Sequence, residues 1–423
     1  MPGVRVAVIG SGAREHALVR CLLRAGEVQR DGREILCVPG NAGIAREVRC
    51  LAPASGSARD LAAAALAEKP DLVVVGPEVP LADGLADLCA QARVPCVGPS
   101  KAAARIESSK AFAKEIMTAA QVPHALAQLF EDPEQARQVA KSRGACVVKL
   151  DGLAAGKGVV VCDDSAQAVA AVEELWRPGA RLLIEERLEG PELSIIALCD
   201  GESLLALQPA RDHKRLLEGD RGPNTGGMGA VSPPADATQT LIDEAMRTVL
   251  EPTARVLRER GVPFVGALYA GLMLTPRGLR VLEFNCRLGD PEAQAILLRL
   301  RSDPLPLFLA TAQGRLASQK PVWDERTSVA LVLAAHGYPA APRSGDPILG
   351  LDAARADEGE DLWILHAGTR AQGSEIVTAG GRVLTVAALG AHAAQARARA
   401  YGAAARLQFA GSQLRLDIAA AEP

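Results

Sequence analysis

The stretch Cys146-Val147-Val148-Lys149-Leu150-Asp151-Gly152-Leu153-Ala154-Ala155-Gly156-Lys157-Gly158-Val159-Val160-Val161 constrains this chain more than any other. Apolar, β-prone residues flank a loop of small residues with a lysine at its tip. Runs of this kind predict two short strands, so the loop joins a hairpin. Small residues let backbone N–H groups approach a phosphate closely, and Lys149 adds a full positive charge at the end of the first strand. The pattern also excludes a fold. A P-loop needs G-x-x-x-x-G-K-[ST] running into a helix, with the hydroxyl on magnesium. Here Gly156-Lys157 leads to Gly158 and a strand, with no Ser or Thr and no helix N-terminus to hold phosphate. The expected device is a lid that folds over phosphate from above. A bare surface hairpin would explain the glycines, but not two lysines among apolar residues.

Length and charge bound the rest. The 423 residues predict two to four domains with a large core. A net charge of -3 argues against nucleic acid or an anionic membrane as partner. No stretch has the length of a membrane span. The N-terminus enters a strand at once, so no signal peptide is expected. The nine cysteines lack C-x-x-C spacing and sit mostly in apolar runs, as buried thiols of a reducing cytosol would.

The first hundred residues alternate strand and helix. Val4–Ile9, Ile35–Val38, Leu72–Val75 and Pro95–Val97 read as strands, and about Glu15–Arg24 and Leu61–Ala67 as helices. That order predicts a parallel sheet with helices on both faces, binding ligands at the C-terminal strand ends. Three glycine-containing loops fall there: Gly10-Ser11-Gly12-Ala13-Arg14-Glu15-His16, Pro39-Gly40-Asn41-Ala42-Gly43 and Gly76-Pro77-Glu78-Val79-Pro80-Leu81. The first lacks the third glycine of the dinucleotide fingerprint, because Glu15 stands in its place. A sugar phosphate suits the helix N-terminus behind it as well as a cofactor does. A tight turn with no ligand explains the loop too.

Further along, Ser108 or Ser109 is a candidate helix cap before Lys110. A strand from Leu182 ends in Glu185-Glu186, and another, Leu279–Phe284, runs into Glu283-Phe284-Asn285-Cys286-Arg287-Leu288-Gly289-Asp290-Pro291-Glu292. Glu283 and Asn285 lie two apart on a strand and so share a face. Both offer the hard oxygens magnesium prefers. Arg287 beside them suits a carboxylate or phosphate. Cys286 has no adjoining His and reads as a packed thiol. The charged run Arg211-Asp212-His213-Lys214-Arg215 precedes the loop Gly222–Ala230. Asp212 suits an ammonium, and Lys214 and Arg215 suit a carboxylate or phosphate. His213 is equally well a loop histidine, and a solvated charge run is the ordinary alternative for the whole segment.

Taken together, Ser109–Phe112, Val148–Gly158, Glu185-Glu186, Gln208–Arg215, Gly222–Ala230 and Glu283–Glu292 resemble the glycinamide ribonucleotide synthetase family of the ATP-grasp superfamily. The N-terminal loops match as well, as do Gly337-Tyr338-Pro339, His366-Ala367-Gly368-Thr369 and Gly380-Gly381-Arg382-Val383. The resemblance spans essentially the whole chain. It implies an α/β and α+β multidomain fold. An N-terminal parallel α/β domain (1–107) is expected, then a two-lobed ATP-grasp domain (108–320, with a lid at about 122–190) and a small β-rich C-terminal domain (321–423). The implied reaction joins glycine to 5-phosphoribosylamine at the expense of ATP, with magnesium or manganese.

The resemblance assigns Lys110, Lys149, Gly152, Gly156, Lys157, Gly158, Glu185, Glu186 and Leu188 to ATP. Asp212, Lys214 and Arg287 go to the substrates and the chemistry, and Gly12, Arg14 and Asn41 to the ribose phosphate. Glu283 and Asn285 are the metal ligands. A cytoplasmic monomer is expected, in transient contact with an upstream amidotransferase. Three positions depart from the family pattern: Ala13 for Gly, Leu288 for Phe and Leu150 for Ala. Tyr269–Met273 also lacks the acid that many ATP-grasp enzymes carry one strand earlier. Two rivals stand beside this reading. One is another ATP-grasp ligase of purine metabolism. The other is a nicotinamide-dependent oxidoreductase on the N-terminal sheet, for which no acid follows the second strand.

Overall fold

The computed structural model describes residues 3–29, 31–153 and 158–422. Gly156 and Lys157, at the tip of the hairpin, lie outside the described residues.

Five parallel strands open the chain: β1 (Arg5–Gly10), β2 (Glu34–Pro39), β3 (Arg49–Cys50), β4 (Leu72–Val75) and β5 (Cys96–Val97), in the order β3-β2-β1-β4-β5. Strand β1 is central and its Val6–Ile9 are fully buried, as a strand covered on both faces requires. Strand β3 was not anticipated; two residues, one of them Arg49, carry no apolar pattern. The reversal of strand order at β1 leaves a crevice at its C-terminal end, where the Gly10, Gly40 and Gly76 loops meet.

The hairpin is as expected. Strands β6 (Ala127–Phe130), β7 (Cys146–Leu150), β8 (Val159–Cys162) and β9 (Leu182–Glu186) form an antiparallel sheet ordered β6-β9-β7-β8. Lys149 pairs with Val159 across the hairpin. Two helices, Pro133–Arg143 and Ser165–Leu175, cover one face and give this sheet its own core of Phe130, Val148, Val172, Ile184 and their neighbours. The core is small and separate from those of the other sheets, so this layer is a body of its own.

A second antiparallel sheet combines β10 (Glu192–Asp200), β11 (Leu204–Ala206), β16 (Val265–Thr275) and β17 (Gly278–Asn285). It packs against the N-terminal sheet, so Ile9 and Val75 share a core with Ile195 and Leu268. The last large sheet holds β12 (Arg211–Asp212), β15 (Gly229–Ser232), β18 (Thr327–Ala334), β19 (Leu362–His366) and β22 (Arg382–Gly390). Two hairpin ribbons, β13 (Arg215–Leu217) with β14 (Arg221–Asn224) and β20 (Thr369–Gln372) with β21 (Glu375–Thr378), stand beside it. This sheet crosses position 320. Strands β12 and β15 precede that position, yet β15 pairs with β18 from Gly229↔Leu331 to Ser232↔Ser328. The segments around Asp212 and Gly227 are therefore built onto the C-terminal sheet.

Candidate active site

Four lines of chain converge between the hairpin sheet, the sheet carrying Glu283 and the C-terminal sheet. Helix Lys110–Ala119 brings two lysines. Ser109 caps it, accepting from the Phe112 N–H at 3.2 Å, and Lys110 begins its first turn. The Lys110 Nζ donates to the Gly152 carbonyl at 2.9 Å, tying helix to hairpin. Lys114 follows one turn later on the same face and meets Glu185 at 3.2 Å. Lys149 sits on β7, 7% exposed, with Glu185 at 2.9 Å and the Leu282 carbonyl at 3.0 Å. Burial pulls Lys114 down to about 8, against the pull of Glu185. Lys114 was missed in the sequence, although its spacing of four from Lys110 was the available signal.

The structure thus brings Lys110, Lys149, Glu185 and Gly152 together. Gly158 lies at the other end of the hairpin, where its carbonyl accepts from Leu150 N at 2.8 Å. Glu186 points the opposite way from Glu185, as alternation along a strand demands. It accepts from Leu126 N at 3.2 Å and meets Arg277 at 3.3 Å. Leu188 is half-buried in the link to β10.

Glu283 stands beside this group. Strand β17 pairs with β16 so that Glu283 faces Gly271 and Asn285 faces Tyr269. Gly271 leaves room for the glutamate, since a Cβ there would lie 3.3 Å from the Glu283 Cγ. Burial alone would raise the Glu283 carboxyl, but Lys214, Lys149, Lys110 and Arg287 outweigh it and hold it below the usual range. Its ion pair with Lys214 is long, at 3.6 Å. An ionised carboxylate and the 8% exposed Asn285 carboxamide suit a hard divalent cation. No group of three or more His, Cys, Asp or Glu side chains gathers for a metal among the described residues. The protein side of a metal site therefore rests on these two residues, with phosphate oxygens to supply the rest.

The acid-rich end lies next to it. Burial would lower Lys214, yet Glu192, Glu283, Tyr269 and Asp212 raise it well above its ordinary value. Glu192 holds its Nζ at 2.7 Å. The Asp212 Oδ1 is enclosed with no hydrogen-bond partner among the described residues. Burial and the Glu292 carboxylate push Asp212 well up. Glu292 is itself buried and accepts from Tyr269 at 2.9 Å and Ser194 at 3.1 Å. Tyr269 and Ser194 come from β16 and β10, far from Glu292 in sequence, so no local signal marks them as its partners. An enclosed, partnerless carboxyl oxygen is a ready acceptor for a small ammonium group.

Arg287 faces the N-terminal domain, with Glu78 at 3.2 Å and Glu107 at 3.4 Å. Burial would lower it; those two acids raise it instead. The Gly10 loop is close by. Its Glu15 carboxylate turns back under the loop and accepts from Gly12 N at 2.6 Å and from Arg14 Nε at 2.6 Å. Arg14 also donates to the Leu288 carbonyl at 3.1 Å. The Gly12 N–H and the Arg14 guanidinium are thus both engaged by the chain's own carboxylate. The Asn41 carboxamide donates to the Ser11 and His366 carbonyls at 2.9 and 2.7 Å and accepts from Gly43 and Ile44 at 2.9 and 3.0 Å. That side chain is fully engaged in joining loops.

The comparisons with known proteins cover nearly the whole chain. Residues 4–107, 108–293 and 328–421 match the N domain, the ATP-grasp (A) domain and the C domain of phosphoribosylglycinamide synthetase. A phosphoribosylamine–glycine ligase of Streptomyces coelicolor is 49% identical over 421 residues, covering 99% of each chain. The crystal structure of a phosphoribosylamine–glycine ligase from Thermotoga maritima is 33% identical, covers 98% of this chain and 100% of its own, and superposes with a TM-score of 0.83. The biotin carboxylase domain of a Hydrogenobacter thermophilus 2-oxoglutarate carboxylase shares the fold at 17% identity, with a TM-score of 0.72 over 98% of this chain and 92% of that one. On the motifs, the site geometry and full-length similarity together, the chain belongs to the phosphoribosylglycinamide synthetase family of ATP-grasp ligases.

Proposed function

We propose that this protein joins glycine to 5-phosphoribosylamine, converting ATP to ADP and phosphate and forming glycinamide ribonucleotide in purine synthesis. One observation carries the reading: Glu283 is faced by Lys110 and Lys149 from the hairpin side and by Lys214 from the acid-rich side. A phosphate chain and a small amino acid would meet at that carboxylate. In the first step a glycine carboxylate oxygen attacks the γ-phosphorus and ADP leaves. In the second, the amine nitrogen of phosphoribosylamine attacks the carbonyl carbon, phosphate leaves and the nitrogen sheds its proton. Phosphorylation supplies the leaving group that a carboxylate lacks. The protein positions the partners and offsets charge.

Lys110, Lys149 and the hairpin loop through Gly152, Gly156, Lys157 and Gly158 cover the ATP phosphates. Glu185, Glu186 and Leu188 line the nucleoside side. Asp212, Lys214 and Arg287 hold the substrates. Gly12, Arg14 and the Asn41 loop face the ribose phosphate. Glu283 and Asn285 hold magnesium or manganese, which neutralises phosphate charge when bound. The functional units are 1–107, 108–320 with the mobile lid at about 122–190, and 321–423. Closure of the lid keeps water from the acyl phosphate. The protein acts as a cytoplasmic monomer and receives its labile amine from the amidotransferase that makes it. No helix among the described residues is long and apolar enough to cross a membrane.

The test is ADP release with ATP, magnesium, glycine and fresh phosphoribosylamine, each omitted in turn. Release should need all four; none from folded protein with the full mixture would refute the proposal. Glu283→Ala should lower turnover by roughly 10²-fold or more while the melting temperature holds. Full activity in that variant would remove the metal assignment.

A further inference from the structure

The C-terminal sheet reaches the site through two side chains with no role in the account so far. Arg382 begins β22, and Tyr338 stands in the turn after β18. They act on one peptide segment. The Arg382 guanidinium donates to the Gly226 carbonyl at 2.5 Å and to the Asp290 carbonyl at 2.6 Å, and its other nitrogen meets the Asp290 carboxylate at 3.1 Å. The Tyr338 hydroxyl accepts from Gly226 N at 2.8 Å. Both polar groups of Gly226 are thus held by the C-terminal domain. The glycines around them make the contact possible. A Cβ on Gly226 would lie 3.1 Å from the guanidinium carbon, and one on Gly381 would lie 2.4 Å from the Tyr338 ring.

The held segment continues straight into the site. Gly227 has φ +109°, and a Cβ there would come within 2.7 Å of the Asp212 Oδ1 and 2.4 Å of Pro291. The enclosed, partnerless Asp212 oxygen is therefore walled by a backbone that Arg382 and Tyr338 fix. Asp290, the other group on Arg382, is also held by Gln294 at 2.7 Å, and its carboxylate would lie 3.6 Å from a Cβ on Gly12. One guanidinium therefore sets the Gly226–Gly227 wall of the acid-rich end and the Asp290 turn that abuts the Gly10 loop. The hairpin side is built from other groups: Lys110 on Gly152, and Lys149 on Glu185 and Leu282.

We propose that Arg382, seconded by Tyr338, is a positioning residue by which the C-terminal domain shapes the amino-acid and amine-acceptor ends of the site, leaving the ATP end to the hairpin sheet. This rests on the function proposed above. The experiment is steady-state kinetics, varying each substrate in turn, on wild type, Arg382→Ala, Arg382→Lys and Tyr338→Phe. Arg382→Ala should raise KM for glycine and phosphoribosylamine roughly 10- to 100-fold, with KM for ATP within about two-fold, because small misplacements cost that much in a positioned site. Arg382→Lys keeps the charge but lacks the fork, so it should fall between. Tyr338→Phe should raise KM for glycine about three-fold, as expected for one lost hydrogen bond.

Parallel rises for ATP and glycine would mean general loosening and overturn the proposal, as would unchanged constants. Should Arg382→Ala not fold, Tyr338→Phe decides alone: a selective rise for glycine upholds the proposal and no rise ends it. Wild type that needs no glycine would instead fail the underlying function.

Discussion

Two glycine-containing loops in this molecule look alike in composition and owe their glycines to opposite causes. In the hairpin loop, Gly152 has φ +122° and a Cβ there would meet nothing within 4 Å among the described residues. Its neighbour Leu153 is 38% exposed. In the Gly10 loop both glycines face the same buried group, as does Gly76 of the adjoining loop. A Cβ on Gly10, Gly12 or Gly76 would come within 2.6, 2.9 or 1.9 Å of the Glu15 side chain. In the first loop the described residues leave the Cβ position of Gly152 open. The second spends its glycines on enclosing a carboxylate that belongs to the chain. Glycine content alone therefore says little about ligand approach; what fills the missing Cβ position decides it.

The largest effect expected from this contrast is catalytic and lies on the open side. Lys149→Ala should cut kcat/KM for ATP roughly 10²- to 10³-fold by removing the charge proposed above to meet the phosphates. An effect below ten-fold would place the phosphates elsewhere. On the packed side the cost is stability. Gly76→Ala forces a methyl into the Glu15 carboxylate and should cost about 3 kcal/mol by denaturant unfolding. Gly152→Ala should cost only about 1 kcal/mol, from its positive φ alone. Equal costs at the two positions would break the comparison.

A pH dependence beneath the packed loop adds a separate test. Glu47 is joined to His16 at 3.1 Å and Arg20 at 2.6 Å. Burial would raise it, but those partners bring it from 4.5 to about 2. A carboxyl lowered by folding stabilises fully above its unfolded value and loses that contribution as pH falls through the folded one. Stability should therefore drop between about 4.5 and about 2, and Glu47→Gln should flatten that part of the profile in a pH series of melts. An unchanged profile would show that Glu47 adds nothing there.

Much of this was legible in the sequence. The alternation of apolar runs located the strands of the N-terminal sheet, and small residues between β-prone runs located the hairpin. Glu283 and Asn285 follow from period two on a strand. Lys110 behind a serine cap follows from local hydrogen bonding. Other features leave no local trace. Strand β3 is two residues long. Strands β12 and β15 are short and polar, and only pairing with β18 makes them part of a sheet. Tyr338 and Arg382 lie in Gly337-Tyr338-Pro339 and Gly380-Gly381-Arg382-Val383, but nothing in their own sequence surroundings says that they hold Gly226.

The sequence by itself determined the longer strands and helices and which residue types are available for chemistry, because periodicity, caps and turn residues act over a few positions. The tertiary structure decided what those residues face. It committed the Asn41 carboxamide to loop contacts, folded Glu15 back onto Gly12 and Arg14 and carried the Arg382 charge to Asp290. The physical reason is range. Backbone propensities are set by near neighbours, whereas ion pairs, enclosed oxygens and missing Cβ atoms depend on segments brought together only when the sheets pack.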